Sequence, residues 1–387
     1  MGRPRLRHKR ISKFQKHMSE QKQIGIGIIG CGKVCKAYFR GAKTFEVLHI
    51  IGCADIDMEA AQAQAELNGC EALTVEALLH HPDIEIVINL TVPAAHADVS
   101  RKILEAGKHV YCEKPFTVDL NDAHDLLELA EAKDRRIGCA PDTFFGAGLQ
   151  TAREIIDSGS IGRITSGTAF MLNHGHESWH PNPAFYYLRG GGPVFDMAPY
   201  YLTALVHLVG PIQRVSAITS KAYESRVATC EERDGETLPV EVNTHASGTL
   251  EFHNGAILTA VFSFDVHAAN HSPLQLYGTG GSIQVPDPNT FGGPVEYVLA
   301  EDKKRGWQEI ELTRPYAENS RGIGVADMAQ AILGRRLHRA DGAVASHVLE
   351  VMHAFDKSSE TSQSIRIQSK PERPAALPKG LAEGELD

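Results

Sequence analysis

The sequence from Ile24 to Cys35, Ile-Gly-Ile-Gly-Ile-Ile-Gly-Cys-Gly-Lys-Val-Cys, decides the fold, because a short apolar run ends in two glycines one residue apart. The run from Ile24 to Ile29 indicates a buried strand. Gly30 permits a tight turn out of that strand, and Gly32 lets the backbone approach a pyrophosphate at the start of the following helix. Cys35 takes the third position of the G-x-G-x-x-G pattern and is small enough for close packing of helix on strand. The stretch predicts a strand, turn and helix that bind a dinucleotide.

Between Gln23 and about Ala140 the chain alternates short apolar strands with helical patterns. The strands are apolar on both faces, as in a parallel sheet that helices cover. The predicted strands are Ile24–Ile29, Leu48–Ala54, Ile84–Leu90, His109–Cys112 and Arg136–Cys139, and the predicted helices are Lys33–Thr44, Met58–Leu67, Val75–His80, His96–Ala106 and Leu120–Ala132. We therefore expect an α/β fold that begins with a Rossmann domain, a doubly wound parallel sheet.

The pattern changes beyond residue 145, where longer strands alternate in polarity and meet at glycine turns, as antiparallel strands do. One predicted helix, Phe195–Leu208, interrupts them, and two more close the segment, Gly322–Leu333 and Ala343–Lys357. The predicted strands are Ile164–Leu172, Val215–Ser220, His245–Phe252, Ala256–Phe264, Leu274–Tyr277 and Glu296–Leu299.

The length of 387 residues exceeds the usual size of one hydrophobic core, so we expect two domains. We place a basic disordered extension at 1–22, the dinucleotide-binding domain at 23–145 and a substrate and oligomerisation domain at 146–365, whose last helices can pack back on the first domain. The segment 366–387 is rich in Pro, Gly and Glu and is predicted to be a loose tail.

Charge and composition exclude several classes of partner. The formal net charge is −9, although residues 1–17 carry seven Lys or Arg and no acid, so the remaining chain is strongly acidic and a poor partner for nucleic acid. No apolar run approaches the roughly 20 residues that cross a bilayer. The seven cysteines lack C-x-x-C spacing and are predicted to be reduced thiols of a cytoplasmic protein.

The second predicted strand ends at Asp55, where an acid accepts hydrogen bonds from the hydroxyls of the adenosine ribose. An acid there repels a 2′-phosphate, and no Arg or Lys follows within several residues. Both features favour NAD over NADP. The alternative is that Asp55 only caps the helix that begins at Met58.

Three further motifs follow the glycine turn and Asp55. They are Asn89-Leu-Thr91-Val-Pro93 with His96 behind it, Glu113-Lys114-Pro115, and the run Gly190-Gly191-Gly192-Pro-Val-Phe-Asp196. In this order they resemble the Gfo/Idh/MocA oxidoreductase family, from about Ile24 to Ser359. The resemblance implies a C-terminal α/β domain with a large open, mainly antiparallel sheet, and a homodimer or homotetramer that forms through that sheet.

The resemblance also implies the catalytic residues, Lys114, Asp196 and Tyr200. Lys114 would lie beside the nicotinamide and the substrate, with a cis bond to Pro115. Asp196 and Tyr200 would share one face of a helix at spacing i, i+4. Most members carry histidine where Tyr200 stands, but some branches carry tyrosine, which can act as an acid/base if its pKa falls from about 10 toward neutrality. Tyr201 is predicted to be a substrate contact or a core residue.

The loop from Asn173 to Pro183, which we call the substrate loop, is predicted to overhang the pocket. Its imidazoles and Trp179 suit a polyhydroxylated ligand, whereas the spacing of its histidines does not fit a helical zinc motif, so no metal is expected. The predicted substrate contacts are His176, Trp179, His180, Arg189, Asp196 and Tyr200. The predicted cofactor contacts are Gly30, Gly32, Lys33, Val34, Asp55, Asn89, Thr91, Pro93, His96, Glu113 and Lys114, of which His96 has an equal structural interpretation.

These features predict an NAD-dependent dehydrogenase that acts on the CH–OH group of a sugar, a sugar derivative or a polyol. Two alternatives remain open: an NAD-using enzyme with an internal redox cycle, of the glycosidase or oxidoisomerase type, and a non-catalytic dinucleotide-binding sensor.

Overall fold

The structure is a computed structural model that describes residues 23–387, without the side chains of Lys303 and Arg305. The predicted basic extension, 1–22, lies outside the described residues. The first part of the chain forms a six-stranded parallel sheet in the order β3-β2-β1-β4-β5-β6. Its strands and helices are β1 (Ile24–Ile29), α1 (Cys35–Ala42), β2 (Leu48–Ala54), α2 (Met58–Asn68), β3 (Glu71–Leu73), α3 (Val75–His80), β4 (Ile86–Asn89), α4 (His96–Glu105), β5 (His109–Cys112), α5 (Leu120–Ala132) and β6 (Ile137–Cys139).

The strand order reverses between β1 and β4, and ligands bind in the crevice that such a reversal opens at the carboxyl ends of the strands. The glycine turn leaves β1 at this crevice, and Lys114 follows β5 at the same edge. The predicted Rossmann sheet is therefore confirmed, and its topology already brings the two motifs together.

The second part of the described chain forms a nine-stranded sheet in which all neighbours are antiparallel except β7 and β12. This confirms the large, mainly antiparallel sheet. The elements are α6 (Ala147–Asp157), β7 (Ile164–Leu172), α7 (Gly192–Asp196), α8 (Ala198–Leu208), β8 (Ile212–Ser220), β9 (Ser225–Val227), β10 (Thr237–Pro239), β11 (His245–Phe252), β12 (Ile257–Ser263), β13 (Leu274–Gly278), β14 (Gly281–Val285), β15 (Val295–Leu299), β16 (Gln308–Ile310), α9 (Ile323–Gly334), α10 (Gly342–Thr361) and β17 (Ile365–Arg366). The sheet order is β16-β15-β14-β13-β7-β12-β11-β8-β17, and β9 pairs with β10 in a separate ribbon.

The chain returns to the first sheet after β16. The backbone N–H of Cys139 in β6 donates to the carbonyl of Ala340, just before α10 begins. Helix α10 then packs against α5, α8 and β8, so it contacts elements of both sheets. No helix among residues 23–387 is long and apolar enough to cross a membrane.

The prediction of a loose tail at 366–387 is wrong. Leu377 and Leu386 are buried, and the carboxylate of Asp387 lies 2.6 Å from the Arg336 guanidinium. The Arg373 guanidinium donates to the carbonyls of His207 and Leu208 at the end of α8. Proline and glycine exclude regular helix and strand here, but the side chains between them still anchor the segment.

The predicted helix Phe195–Leu208 is also wrong in one respect, because it is two helices. Helix α7 ends at Asp196 and α8 begins at Ala198, with Met197 between them. Pro199 lies in the first turn of α8, where its missing N–H costs nothing. Asp196 and Tyr200 are therefore on consecutive helices rather than on one face of a single helix.

Candidate active site

The glycine turn is held open by the neighbouring strand. Gly30 has φ +103°, and a Cβ on it would lie 2.6 Å from the Leu90 carbonyl oxygen, so only glycine fits. A Cβ on Gly32 would meet nothing within 4 Å, which leaves room for a ligand against the backbone. The backbone N–H of Cys31 donates to Asp55 Oδ2 at 2.7 Å, so Asp55 also fixes the turn.

Asp55 keeps a partly exposed carboxylate at the end of β2. The cap of α2 is Asp57, whose side chain accepts from the N–H of Glu59, so the alternative in which Asp55 caps this helix is wrong. Ile56, which belongs to no sequence motif, is 99% exposed and offers an apolar surface directly beside that carboxylate. The open turn, the acid and the apolar face fit the pyrophosphate, ribose and adenine of a dinucleotide. Lys33 is exposed and Val34 half-buried at the start of α1, next to this cradle.

Two predicted cofactor contacts, Asn89 and His96, have side chains that are enclosed by the protein. The Asn89 amide donates to the His96 carbonyl and to Ser100 Oγ, and its oxygen accepts from the backbone N–H and the hydroxyl of Thr91. His96 Nδ1 lies 2.6 Å from the Pro115 carbonyl oxygen, and burial lowers the pKa of this histidine. These side chains therefore position the exits of β4 and β5 instead of contacting the cofactor, while Thr91 and Pro93 stay half-buried at the crevice.

Glu113 is buried and binds the protein with both oxygens. Its Oε1 accepts from the Tyr38 hydroxyl at 3.0 Å, and its Oε2 accepts from the backbone N–H of Lys114 at 2.8 Å. The side chain thus holds α1 against the end of β5 and sets the backbone from which Lys114 projects.

Lys114 and Asp196 form the centre of the site. The Lys114 ammonium donates to Asp196 Oδ1 at 2.8 Å and to the Asp196 carbonyl oxygen at 2.6 Å. The Lys114–Pro115 bond is cis, as predicted. Burial alone would lower the pKa of Lys114, but the negative charge of Asp196 outweighs it and the pKa is raised. Burial alone would raise the pKa of Asp196, but Lys114 and His176 lower it to about 2. The two groups therefore stay charged across the neutral range.

The break between α7 and α8 explains the second hydrogen bond of Lys114. In a continuous helix the N–H of Tyr200 would donate to the carbonyl of Asp196, but here it donates to the carbonyl of Met197. The Asp196 carbonyl is left for the Lys114 ammonium. Gly190 and Gly192 have φ +85° and +78°, and these left-handed residues start α7 at the angle that presents Asp196.

Tyr200 lies beside the ion pair, with the Lys114 ammonium 5.1 Å from the centre of its ring. Its hydroxyl accepts from the Arg321 guanidinium at 2.9 Å, a partner that sequence reasoning missed because it is 121 residues away. Burial raises the pKa of Tyr200, and the positive charges of Lys114 and Arg321 only partly oppose this. The expected fall of this pKa toward neutrality is therefore not found.

The substrate loop contacts both Asp196 and the residue after the glycine turn, Lys33. His176 is 5% exposed, its Nε2 lies 3.3 Å from Asp196 Oδ2, and its ring stacks on Tyr186 with centres 3.7 Å apart. Trp179 is 56% exposed, and the Lys33 ammonium lies 5.3 Å from its ring centre, so the loop touches the glycine turn. The His180 ring packs edge-on against Trp179.

A buried ion cluster anchors the substrate loop from behind. Arg226, on the ribbon strand β9, donates to Glu177 Oε1 at 2.6 Å and also pairs with Asp265. The Tyr187 hydroxyl donates to Glu177 Oε2 at 2.6 Å. Burial would raise the pKa of Glu177, but these hydrogen bonds lower it. No local motif marks this cluster, so sequence reasoning missed it.

Two candidate residues lie elsewhere. Arg189 pairs with Asp119 at 2.7 Å on the surface, with 76% of its side chain exposed, and lines a groove to which neither Lys114 nor Asp196 contributes. Its prediction as a substrate contact is therefore not supported. Tyr201 is buried against Phe262, and its hydroxyl donates to Asp287, so it is a core residue.

The described residues hold no group of three or more His, Cys, Asp or Glu side chains arranged for a metal ion. The ring of His174 stacks on His267 with centres 3.7 Å apart, whereas His176 faces Asp196. All seven cysteines are free thiols.

Two family models match the chain. Residues 24–140 match the oxidoreductase family with an NAD-binding Rossmann fold, and residues 149–284 match the GFO/IDH/MocA C-terminal domain. Levoglucosan dehydrogenase of Pseudarthrobacter phenanthrenivorans is 24% identical over 326 residues, which cover 76% of this chain and 82% of that protein. D-Glucoside 3-dehydrogenase of Escherichia coli is 27% identical over 353 residues, which cover 89% of this chain and 97% of that protein.

A solved structure of levoglucosan dehydrogenase in complex with NADH is similar in fold, with a TM-score of 0.78 at 21% identity, over 90% of this chain and 100% of that chain. The two family models together match well over half of the sequence, in the order and at the positions of the two sheets. The chain therefore belongs to the Gfo/Idh/MocA family and is an oxidoreductase with NAD as its cofactor.

Proposed function

We propose that this protein is an NAD-dependent dehydrogenase that interconverts a secondary alcohol and a ketone on a sugar, a sugar derivative or a polyol. The observation that carries the proposal is the Lys114 ammonium, which stands at the carboxyl edge of the Rossmann sheet with two of its three donors on Asp196. NAD, when bound, supplies the hydride acceptor or donor. The residues of the chain then have to orient the substrate oxygen and manage its proton.

Lys114 suits the first of these tasks. Its remaining N–H is available to a substrate oxygen, and a cation at that position stabilises the negative charge that develops on the oxygen during oxidation. Asp196 keeps the ammonium in place and charged. Tyr200 is the third residue of the proposed catalytic set. Arg321 donates a hydrogen bond to its hydroxyl, and the tyrosine lines the same pocket.

The substrate class is inferred from the substrate loop. His176, Trp179 and His180 combine hydrogen-bonding imidazoles with an exposed indole face, a combination that suits hydroxyl groups and the apolar face of a sugar ring. The names of two relatives, levoglucosan dehydrogenase and D-glucoside 3-dehydrogenase, support the same substrate class.

The test is a substrate screen with purified protein and NAD, following the absorbance of reduced nicotinamide. The panel contains sugars, anhydrosugars, glycosides, sugar acids and inositols. A saturable rate with at least one of them supports the proposal. Product formed without net NADH would indicate an internal redox cycle, and tight NAD binding without turnover of any compound would indicate a sensor.

We also propose that two copies pair through the outer face of the nine-stranded sheet. Ile218 on β8 and Ile257 on β12 are exposed there, among the small side chains of Ser247, Thr249 and Thr259. A flat face of β-branched and hydroxyl residues suits packing against an identical face. Light scattering after size exclusion would give the mass of a dimer or tetramer, and a monomer at micromolar concentration would contradict this.

A further inference from the structure

The Asp196 carboxylate has a second neighbour besides Lys114. Lys114 binds Oδ1, and His176 Nε2 lies 3.3 Å from Oδ2. His176 comes from the substrate loop, whereas Asp196 ends α7, so two separate segments of the second domain meet at this carboxylate. An imidazole beside a carboxylate is the arrangement that orients the ring and stabilises its protonated form.

The two ring nitrogens of His176 have different surroundings. Because Nε2 faces a carboxylate, it is the nitrogen that carries the proton in the neutral ring, and Nδ1 is then the acceptor. Nδ1 is buried and has no hydrogen-bond partner among the described residues. A buried polar atom without a partner calls for an explanation, and a substrate hydroxyl in the pocket would supply the missing donor.

The other titratable groups of the pocket are poorly suited to accept a proton from a substrate hydroxyl near neutral pH. Burial raises the pKa of Tyr200 and of Tyr186, and the charge of Asp196 overcomes burial to raise that of Lys114. The pKa of Asp196 is about 2, so this carboxylate is a poor proton acceptor near neutrality.

We propose that His176 is the proton acceptor of the dehydrogenase reaction, with Nδ1 as the accepting atom and Asp196 as the group that stabilises the imidazolium. This inference rests on the proposed function. The O–H bond of the substrate breaks and an N–H bond forms on Nδ1, the carbon-bound hydrogen leaves with the electron pair of the C–H bond as a hydride to oxidised NAD, and the carbon–oxygen bond becomes a carbonyl. The imidazolium returns its proton to solvent after the product has left the pocket.

The His176 ring is surrounded by charged, polar and aromatic groups. Asp196 lies at Nε2, Lys114 lies behind Asp196, and the Tyr187 hydroxyl accepts from the backbone N–H of His176 at 3.3 Å. Packed around the ring are Tyr186, Trp179 and Phe264, and the His180 ring lies beyond Tyr186.

The test compares His176→Gln with His124→Gln, a variant of an exposed histidine on α5. For His176→Gln we expect kcat/KM to fall on the order of 10²-fold or more, with an unchanged Kd for NADH. The loss of activity toward acid pH, which marks protonation of the base in the wild type, should disappear. Free imidazole should restore part of the activity of His176→Gly. His124→Gln should keep the wild-type profile.

A second measurement needs no turnover. Nitrogen NMR of histidine-labelled protein at alkaline pH, with His176→Gln to assign the signal, should show the proton of His176 on Nε2. A proton on Nδ1 would overturn the proposal, as would an acid limb that persists in His176→Gln and vanishes in Tyr200→Phe. A wild type that binds NADH but oxidises no compound of the panel overturns the proposed function and this role together, whereas an active wild type with either of the other results overturns only the role of His176.

Discussion

The glycine turn and the substrate loop meet at the contact between Lys33 and Trp179, but they are built in different ways. The turn is fixed by its nearest neighbours in the sheet: the N–H of Gly30 donates to the Ala54 carbonyl at the end of β2, and the N–H of Cys31 donates to Asp55 on the next residue. The loop is fixed by Arg226, which lies 49 residues beyond Glu177 on a separate ribbon.

This difference separates cofactor binding from substrate recognition. A turn that depends on one backbone conformation and one adjacent strand can keep its function while the rest of the chain changes. A loop held by side chains from a distant ribbon can change its shape when that ribbon changes. We therefore expect variants of the turn to alter cofactor affinity, and variants of the loop other than those of His176 to alter substrate affinity or stability. Loss of turnover is expected for Lys114, Asp196 and His176, which meet where the two regions come together.

Lys114 pairs with Asp196, the carboxylate that the substrate loop also contacts through His176. Lys114→Ala should therefore cause the largest loss of activity. It removes the donor to the substrate oxygen and leaves the carboxylate of Asp196 without its cation. We expect kcat/KM to fall on the order of 10³-fold, with little change in the Kd for NADH. Steady-state kinetics and a fluorescence titration with NADH measure the two effects.

Lys36→Ala, an exposed lysine on α1, is the control and should retain full activity. If Lys114→Ala kept more than about a tenth of the wild-type kcat/KM, the ammonium would contribute less than the ~1.4 kcal/mol that a tenfold effect represents, and its assignment as the central donor would be wrong.

The sequence predicts the regions that resemble the turn better than those that resemble the loop. Strands Ile24–Ile29, Leu48–Ala54 and His109–Cys112 begin and end as predicted, because strands covered on both faces are continuous apolar runs. The strands β3, β9, β10, β14, β16 and β17 were missed. All of them except the five-residue β14 have only two or three residues, which carry no periodicity. The tight turn at Gly30 and the cis Lys114–Pro115 bond were predicted correctly, because both depend on backbone geometry that local sequence records.

Contacts between distant side chains could not be predicted. Arg321 reaches Tyr200, and His176 reaches Asp196, only because two sheets and a broken helix bring these segments together. Asn89 was assigned to the cofactor from its place at the end of β4, but whether an amide at a strand end faces outward or inward depends on α4, which here supplies its partners.

Arg226→Met should destabilise the substrate loop and leave the glycine turn unchanged. The Arg226 side chain is 4% exposed, and its removal leaves the buried Glu177 and the half-buried Asp265 without their cation. We expect a loss of about 3 kcal/mol in the free energy of unfolding at pH 7.5, with an unchanged Kd for NADH. Urea denaturation measures the loss. Arg214→Met, which removes an exposed partner of Glu251, should cost less than about 1 kcal/mol.

The pH dependence of that loss in unfolding free energy tests whether the Arg226–Glu177 pair stabilises the folded protein. Arg226 depresses the pKa of Glu177 in the folded protein, so the pair contributes stability that is present above the unfolded pKa of about 4.3 and is lost as the pH falls through the folded value. In Arg226→Met the pKa of Glu177 rises, and Glu177 takes up a proton in mild acid. The difference between variant and wild type should therefore shrink from pH 7.5 to pH 4.5, and a difference that grows would contradict the assignment.

Asp55→Ala tests the turn. It removes the acceptor for the ribose hydroxyls and the acceptor for the N–H of Cys31. We expect the Kd for NAD to rise about 30-fold, with a smaller change for NADP, because the acid that repels the 2′-phosphate is lost as well. Asp55→Asn keeps an acceptor for the turn but not the charge, and should bind NADP better than the wild type does. Equal weakening of both cofactors in Asp55→Ala would contradict the NAD preference.

Trp179→Ala should have the smallest effect, and it measures the contact between the two regions. The indole is half exposed and packs against the Lys33 ammonium, an interaction worth about 0.5–1 kcal/mol at such a site. We expect KM for the substrate to rise two- to fivefold with kcat nearly unchanged, because the indole contributes to binding equally in the ground state and the transition state.

Trp307, the other tryptophan of the chain, lies just before β16, so Trp307→Ala is the matched control for kinetics and fluorescence. Addition of NADH should quench the emission of the wild type and of Trp307→Ala but not that of Trp179→Ala. Equal quenching in the two variants would mean that the substrate loop does not cover the bound cofactor.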